Sequence, residues 1–253
     1  MWKVILVCFF AGAGAGIGTG FAGMSAAAII GPMLMTFLGV PAYQAIGIGL
    51  ASDVLASAAS AWTYKKHGNL DIKGSLPLLI SVLIMTIVGS FIASLLPDRA
   101  MGSAIQIALV VVGFKFLLFP NKNTREQKED DKTKILRAIV GGTIVGFICG
   151  FVGAGGGVMM LFVLTTFLCY DMHMAVGTSV FIMMFTAFTG SLSHFVIGGV
   201  PDSGYLALCI IFTLIWARIS AKLANKATAT TLSRVVGIIM ILIGVVVLLA
   251  NYA

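Results

Sequence analysis

Apolar runs of about twenty residues recur along nearly the whole chain, and they set the first limit on what it can fold into. A helix of about 20 residues crosses the roughly 30 Å hydrocarbon core of a bilayer. Such runs read as helical elements at 2–20, 24–39, 43–64, 75–96, 100–118, 135–151, 155–169, 173–197, 204–220 and 234–250. The segments 24–39 and 155–169 are short, and each follows a Gly-rich break. They are expected to be half-spans or re-entrant helices. Turn chemistry separates the runs at Gly39-Val40-Pro41, Lys65-Lys66-His67-Gly68-Asn69, Pro97-Asp98 and Gly198-Gly199-Val200-Pro201-Asp202.

Composition excludes a soluble fold. Of 253 residues, 59% are hydrophobic and only 10% are charged, against about 25% charged in soluble domains. The mean hydropathy is +1.08. A soluble chain this apolar could not cover its own surface, so an all-α integral membrane protein in the lipid bilayer is expected. The net charge of +7 does not point to nucleic acid, because the basic residues sit in short loops and form no basic face. Cys8, Cys149, Cys169 and Cys209 form no C-x-x-C pair and read as small buried hydrophobes. Without a Cys/His cluster or a P-loop, no metal, no cofactor and no ATP-driven pumping is expected. Lys3, the run Val4 to Phe10 and the Ala/Gly stretch after it resemble a cleavable signal peptide. The same Gly pattern recurs mid-chain, where no signal peptidase acts, so the segment is expected to stay as a helix.

The chain repeats itself. Adding 130 to a residue number maps Gly12, Gly16, Gly20, Phe21 and Gly23 onto Gly142, Gly146, Gly150, Phe151 and Gly153. In the same register, Leu34, Thr36, Phe37 and Leu38 map onto Leu164, Thr166, Phe167 and Leu168. Ala45, Gly47 and Gly68 map onto Ala175, Gly177 and Gly198. Between the halves lies a hydrophilic stretch of mixed charge. The expected organisation is a first transmembrane repeat over 1–120, a cytoplasmic linker over 121–134 and a second repeat over 135–253.

Basic loops mark the cytoplasmic side of a membrane protein. The basic loops are 65–73, 121–137 and 218–234. Placing all three inside leaves both termini outside, with only Lys3 and Arg99 against the rule. Five elements per half is an odd number, so the second half enters from the opposite side. The expected plan is two inverted-topology repeats, which in secondary transporters build the substrate site at the midplane.

Two sets of residues could carry chemistry. The first is the pair of breaks, Gly20-Phe21-Ala22-Gly23-Met24-Ser25 and Gly150-Phe151-Val152-Gly153-Ala154-Gly155-Gly156-Gly157. A helix that starts at such a break points free N–H groups and its positive end at whatever sits there. Two such starts facing each other would make an anion site from Gly23, Ser25, Gly153, Gly155, Gly156 and Gly157. For Gly12, Gly16, Gly20, Gly142, Gly146 and Gly150 the plainer reading is close helix packing. The second set is polar. It comprises Ser52, Asp53, Ser57 and Ser60 in the third element, and Thr178, Ser179, Thr186 and Ser191 in the eighth. Hydroxyls can donate to an oxyanion, or bond to their own helix backbone. Asp53 is a carboxylate inside an apolar run, which costs several kcal/mol unless paired or wet. It could be protonated, bind a coupling cation, or pair with Lys115 or His194. Asp53 and His194 are the candidates for coupling; for His194, near the outer end of its helix, an interfacial role is the plainer reading. Ser25 with His194 is the one combination that could mimic an intramembrane Ser–His dyad, but no enzyme motif is present and no enzyme is expected.

The order of these motifs resembles the TauE/SafE family of sulfite exporters. Gly20-Phe21-Ala22-Gly23, Pro32, Pro41, Ala45-Ile46-Gly47 and Gly68-Asn69-Leu70-Asp71 carry the likeness in the first half. In the second half it rests on Gly150-Phe151, Gly153 to Gly157, Ala175-Val176-Gly177-Thr178-Ser179 and Gly190-Ser191-Leu192-Ser193-His194. The chain departs from the pattern at Met24-Ser25-Ala26-Ala27, Ile48-Gly49 and Trp216. The resemblance implies a multi-pass transporter of the cell membrane for sulfite or organosulfonates, working by alternating access as the halves rock. A monoanion leaving an inside-negative cell gains about 2.3 kcal/mol per 100 mV, so export needs no coupling ion. The alternatives are a transporter or channel for another small solute, or an intramembrane Ser/His enzyme. The expected partners are a small anion and lipid; a homo-oligomer is left open.

Overall fold

The computed structural model describes residues 2–93, 113–119, 131–152, 156–199 and 201–252. The helices are α1 (Trp2–Ala22), α2 (Ala27–Leu38), α3 (Ala42–Lys66), α4 (Ile72–Ala93), α5 (113–118), α6 (Asp131–Val152), α7 (Gly156–Thr166), α8 (Met172–Gly198), α9 (Ser203–Lys226) and α10 (Ala229–Tyr252). Among the described residues there is no strand. This is the expected all-α class: within hydrocarbon a helix satisfies its own backbone groups. Trp2–Ala22, Ala42–Lys66, Ile72–Gly89, Met172–Val196 and Ser203–Lys226 are long and apolar enough to cross a membrane.

The helices outrun the apolar runs at their polar ends. α3 continues to Lys66, α4 starts at Ile72, α6 starts at Asp131 inside the stretch read as linker, and α9 continues to Lys226. Lys and Arg are good helix formers, and their long stems lie along apolar surface while the charge stays wet. The rest of the linker, residues 121–130, lies outside the described residues, as do Pro97-Asp98 and residues 153–155. Acidic residues serve as caps. Asp171 accepts from the backbone N–H of His173 and Met174 at the start of α8, at 2.9 and 3.1 Å. Asp202 does the same for Gly204 and Tyr205 at the start of α9.

α2 and α7 have 12 and 11 residues. At about 1.5 Å per residue each is roughly 17 Å long, too short to cross a bilayer core alone. The first residues of α6, α7, α8 and α9 follow those of α1, α2, α3 and α4 by 129, 129, 130 and 131 positions.

Packing exchanges helices between the halves. α1 lies on α9, and α4 lies on α6. On α1, Gly12 faces Phe212 and Thr213, Gly16 faces Thr213, Trp216 and Ala217, and Gly20 faces Ala217, Ser220 and Ala221, so the two helices run parallel. On α6, Gly142 faces Leu78 and Ser81, and Gly146 faces Val82 and Met85, again in parallel. A Cβ added at Gly16 would stand 2.6 Å from the Thr213 carbonyl oxygen and 2.7 Å from the Ala217 nitrogen, so only glycine lets the backbones meet. Close approach is what drives helix association in lipid, where tails are as apolar as side chains. The Ser220 hydroxyl adds a 2.9 Å bond to the Gly16 carbonyl across this contact.

Between these pairs, α3 and α8 run antiparallel. Gly47 faces His194 and Phe195, Leu50 faces Gly190, and Tyr64 faces Gly177. The outer faces are apolar: Ile80, Ile84 and Ile87 on α4, and Ile211, Ile215 and Ile219 on α9, are exposed at helical spacing, as lipid-facing stripes are. Two basic loops adjoin, because the Asn69 side chain donates to Asn225 Oδ1 at 2.7 Å.

Gly16→Val is expected to separate α1 from α9 and cost about 1–3 kcal/mol, as overpacking does. Gly14, whose added Cβ would meet only Ile29 Cγ2 at 3.5 Å and Cδ1 at 3.9 Å, should accept alanine. Thermal unfolding in detergent, run on both variants, checks the contrast.

Candidate functional site

The chain breaks after α1 because Gly23 takes a left-handed φ of +57°. That turn lets the Gly23 N–H reach the Thr19 carbonyl at 3.0 Å and the Met24 N–H reach Gly18 at 3.2 Å. The Thr19 hydroxyl donates to the Met24 carbonyl at 2.9 Å. Tyr64, fully buried near the end of α3, donates to the Gly20 carbonyl at 2.9 Å. A broken helix in a dry site thus has donors for its freed carbonyls. The next helix begins bare: α2 has no side-chain cap at Ala26.

Both breaks meet in the centre. Gly157, in the first turn of α7, abuts the carbonyl oxygen of Gly23, and its added Cβ would also stand 2.6 Å from Met183 Sδ. Gly23 itself abuts the Ser179 hydroxyl. Gly156 abuts Cys149 Sγ. Any side chain at Gly157 would drive the two breaks apart. Gly153 and Gly155 lie outside the described residues.

Asp53 joins this centre. It stands 11 residues into α3 and is only 1% exposed. Its Oδ1 accepts from Ser57 at 2.9 Å, while Oδ2 has no hydrogen-bond partner. Ser25, the Ala26 backbone N–H and Thr19 surround the carboxyl. The half-buried Ser25 and the bare start of α2 are therefore brought to Asp53. In the 130-residue register the counterpart of Asp53 is Met183, and Met183 lies at the start of α7. One helix start carries a carboxyl, the other a thioether.

The remaining residues divide. Ser52 bonds back to the Ile48 carbonyl at 2.8 Å, Ser179 to Val176 at 2.8 Å, Thr186 to Met183 at 3.1 Å and Ser191 to Phe188 at 3.0 Å. Thr178 Oγ1 accepts from the Asp71 N–H at 3.4 Å. The Ser60 hydroxyl is buried with no hydrogen-bond partner. His194 is not brought to the centre. Its Nδ1 lies 3.1 Å from the Tyr43 carbonyl, and its ring centroid lies 4.4 Å from that of Tyr43. Tyr43 precedes Asp53 by ten residues on the same helix, about 15 Å along its axis. Asp53 is therefore not paired with His194, and no Ser25–His194 dyad forms. Lys115 is engaged elsewhere: its Nζ donates to Thr166 Oγ1 at 2.7 Å and lies 4.7 Å from the Phe162 ring centroid. Thr19 and Met183 were not expected here. The repeat register pointed to Met183 through Asp53; nothing in the sequence marked Thr19, a lone hydroxyl in a Gly-rich helix.

Gly23→Ala is expected to cost about 1–3 kcal/mol for a side chain at positive φ, and more for displacing the Ser179 hydroxyl. Adding Ser179→Ala should recover the second part alone. A double-mutant cycle on thermal stability would show coupling between the two sites; strict additivity would mean they do not touch.

The sequence comparisons agree with this architecture. A profile of the family described as Sulfite exporter TauE/SafE matches residues 8–247. The chain is 25% identical over 244 residues to the probable membrane transporter protein YunE of Bacillus subtilis (strain 168), covering 90% of this chain and 89% of that protein. It is 28% identical over 246 residues to a probable membrane transporter protein of Haemophilus influenzae, covering 90% of each. To the probable membrane transporter protein MJ0441 of Methanocaldococcus jannaschii it is 25% identical over 242 residues, 88% of this chain and 86% of that one. With nearly its whole length matched and its apolar helices spanning, the chain is a multi-pass membrane transporter that belongs to the TauE/SafE sulfite exporter family.

Proposed function

We propose that this transporter moves small sulfur-containing anions, sulfite or organosulfonates, out across the cell membrane by alternating access at the centre where the two breaks meet. The observation that carries the reading is the contact of Gly157 with the Gly23 carbonyl, beside the middle of α3 and α8. At that point two short helices begin, α2 without a side-chain cap at Ala26, and helix starts favour negative charge. Glycine at Gly156 and Gly157 lets the backbone come close to its neighbours at this point.

The antiparallel course of α3 and α8 and the matching parallel pairs α1–α9 and α4–α6 support inverted repeats. The moving parts are then these cross-half pairs, turning about α3 and α8, with each sequence half shared between both parts. Basic loops 65–73, 121–137 and 218–234 face the cytoplasm and the termini face outward.

Efflux of radiolabelled sulfite from proteoliposomes tests the substrate, with sulfoacetate, taurine, thiosulfate and sulfate as competitors. The expected result is saturable efflux, competed by sulfonates and reduced at least about tenfold in Gly157→Leu, equivalent to about 1.4 kcal/mol. Folded protein without sulfite flux or competition would remove sulfur anions as substrates. Orientation has its own check. His67 and Asp202, both exposed, should as cysteine variants react with an impermeant thiol reagent from the cytoplasmic and outer sides respectively.

A further inference from the structure

Asp53 does something that the anion reading leaves unexplained. A carboxyl buried at mid-helix, with one oxygen unpartnered, stands beside the uncapped start of α2. It supplies from another helix the negative group that α2 lacks at its own N-terminus. That start is therefore already taken by an anionic side chain whenever Asp53 is ionised. Among the described residues the start of α7 shows no such group: its first turn holds no acidic residue, Gly157 abuts the Gly23 carbonyl, and Met183 occupies the position equivalent to Asp53. An anion at α7 and a carboxylate at α2 would face each other across the contact of the two breaks. Like charges in a dry site strongly oppose one another.

Among the described residues, no basic side chain acts on Asp53 to compensate. α1 carries no charged or titratable side chain besides Lys3 and Cys8, and α2 carries none. On α8, His173 Nε2 lies 3.0 Å from the Ala227 carbonyl, and His194 is held at Tyr43. On α9, Arg218, Lys222 and Lys226 are exposed. Tyr205 at its first turn packs with the α1–α2 cluster, and Cys209 faces Cys8. On α3 itself, Tyr43 and Tyr64 are held at His194 and Gly20, and Lys65 and Lys66 lie at its exposed end.

We propose that Asp53 is a proton-binding site coupled to the anion: the transporter carries a proton on Asp53 together with each anion held at the start of α7. The inference rests on the anion-transport reading and states what travels with that anion. Proton and anion favour one another's binding by the same factor, as linkage requires. The proton enters from water on the side from which the anion enters and leaves with it. A monoanion then crosses without net charge, so membrane potential no longer drives it. A dianion with one proton still carries a single negative charge outward.

Methanesulfonate is the probe, because as a strong-acid anion it neither titrates nor crosses lipid as a neutral acid. Proteoliposomes of the full-length protein carry a trapped pH dye and a potential clamped by valinomycin and potassium. In wild type, outward methanesulfonate flux is expected to carry one proton per anion, with a rate that changes by less than about 1.5-fold on clamping at 100 mV inside negative. Asp53→Asn is expected to lose the proton movement, and any flux it retains should become sensitive to potential. The wild-type stoichiometry needs no variant to fold. Methanesulfonate flux in wild type without proton movement, or flux that requires sodium instead, overturns this inference and leaves the anion reading standing. Absence of both sulfite and methanesulfonate flux in wild type overturns both.

Discussion

A helix can be broken inside hydrocarbon only if the backbone groups it releases find partners, since each one left bare costs several kcal/mol. The break after α1 shows how that condition shapes the centre. Tyr64 reaches from α3 to the Gly20 carbonyl, Thr19 turns back to the Met24 carbonyl, and the Gly23 and Met24 N–H groups fold onto α1. What lacks a side-chain cap is the start of α2, and there the Ala26 N–H stands at Asp53. The features that set the site, a left-handed glycine, a buried tyrosine and a mid-helix carboxyl, are thus answers to one requirement.

The element plan was legible because period and length carry it. Nine of the apolar runs became helices near their expected places, the short runs 24–39 and 155–169 as α2 and α7, and of the run 100–118 the described residues 113–118 are helical. The ends were less legible: at Lys66 and Lys226 hydropathy falls while helix propensity does not, and at Asp131 an acidic residue suits a helix start. Gly12, Gly16, Gly142 and Gly146 read correctly as packing positions, because four-residue spacing of glycine has one dominant use in lipid. Which helix they would pack against could not be read, since spacing names a face and not its partner. The hydroxyls were the weakest signal. Ser52, Ser179, Thr186 and Ser191 bond back to their own helices, whereas Thr178 meets the Asp71 N–H, and residue type alone does not separate the two fates.

Similarity between the halves makes their differences informative. Gly16 and Gly146 hold equivalent contacts, against Thr213 and Trp216 in one pair and Val82 and Met85 in the other. That layer needs two like surfaces and has kept them. At the centre the register holds but the chemistry does not. Asp53 faces Met183 in position, and Ala27 faces Gly157.

The exchange of α1 onto α9 and of α6 onto α4 also bears on how the protein is made. A chain is inserted from its N-terminus, and α1 has to wait about two hundred residues for its glycine face to be covered. Until then that strip of small residues stands open to lipid or to some temporary companion. α4 waits only for α6. The α4–α6 pair can therefore close early, while the α1 side closes late, when α9 arrives like a clasp.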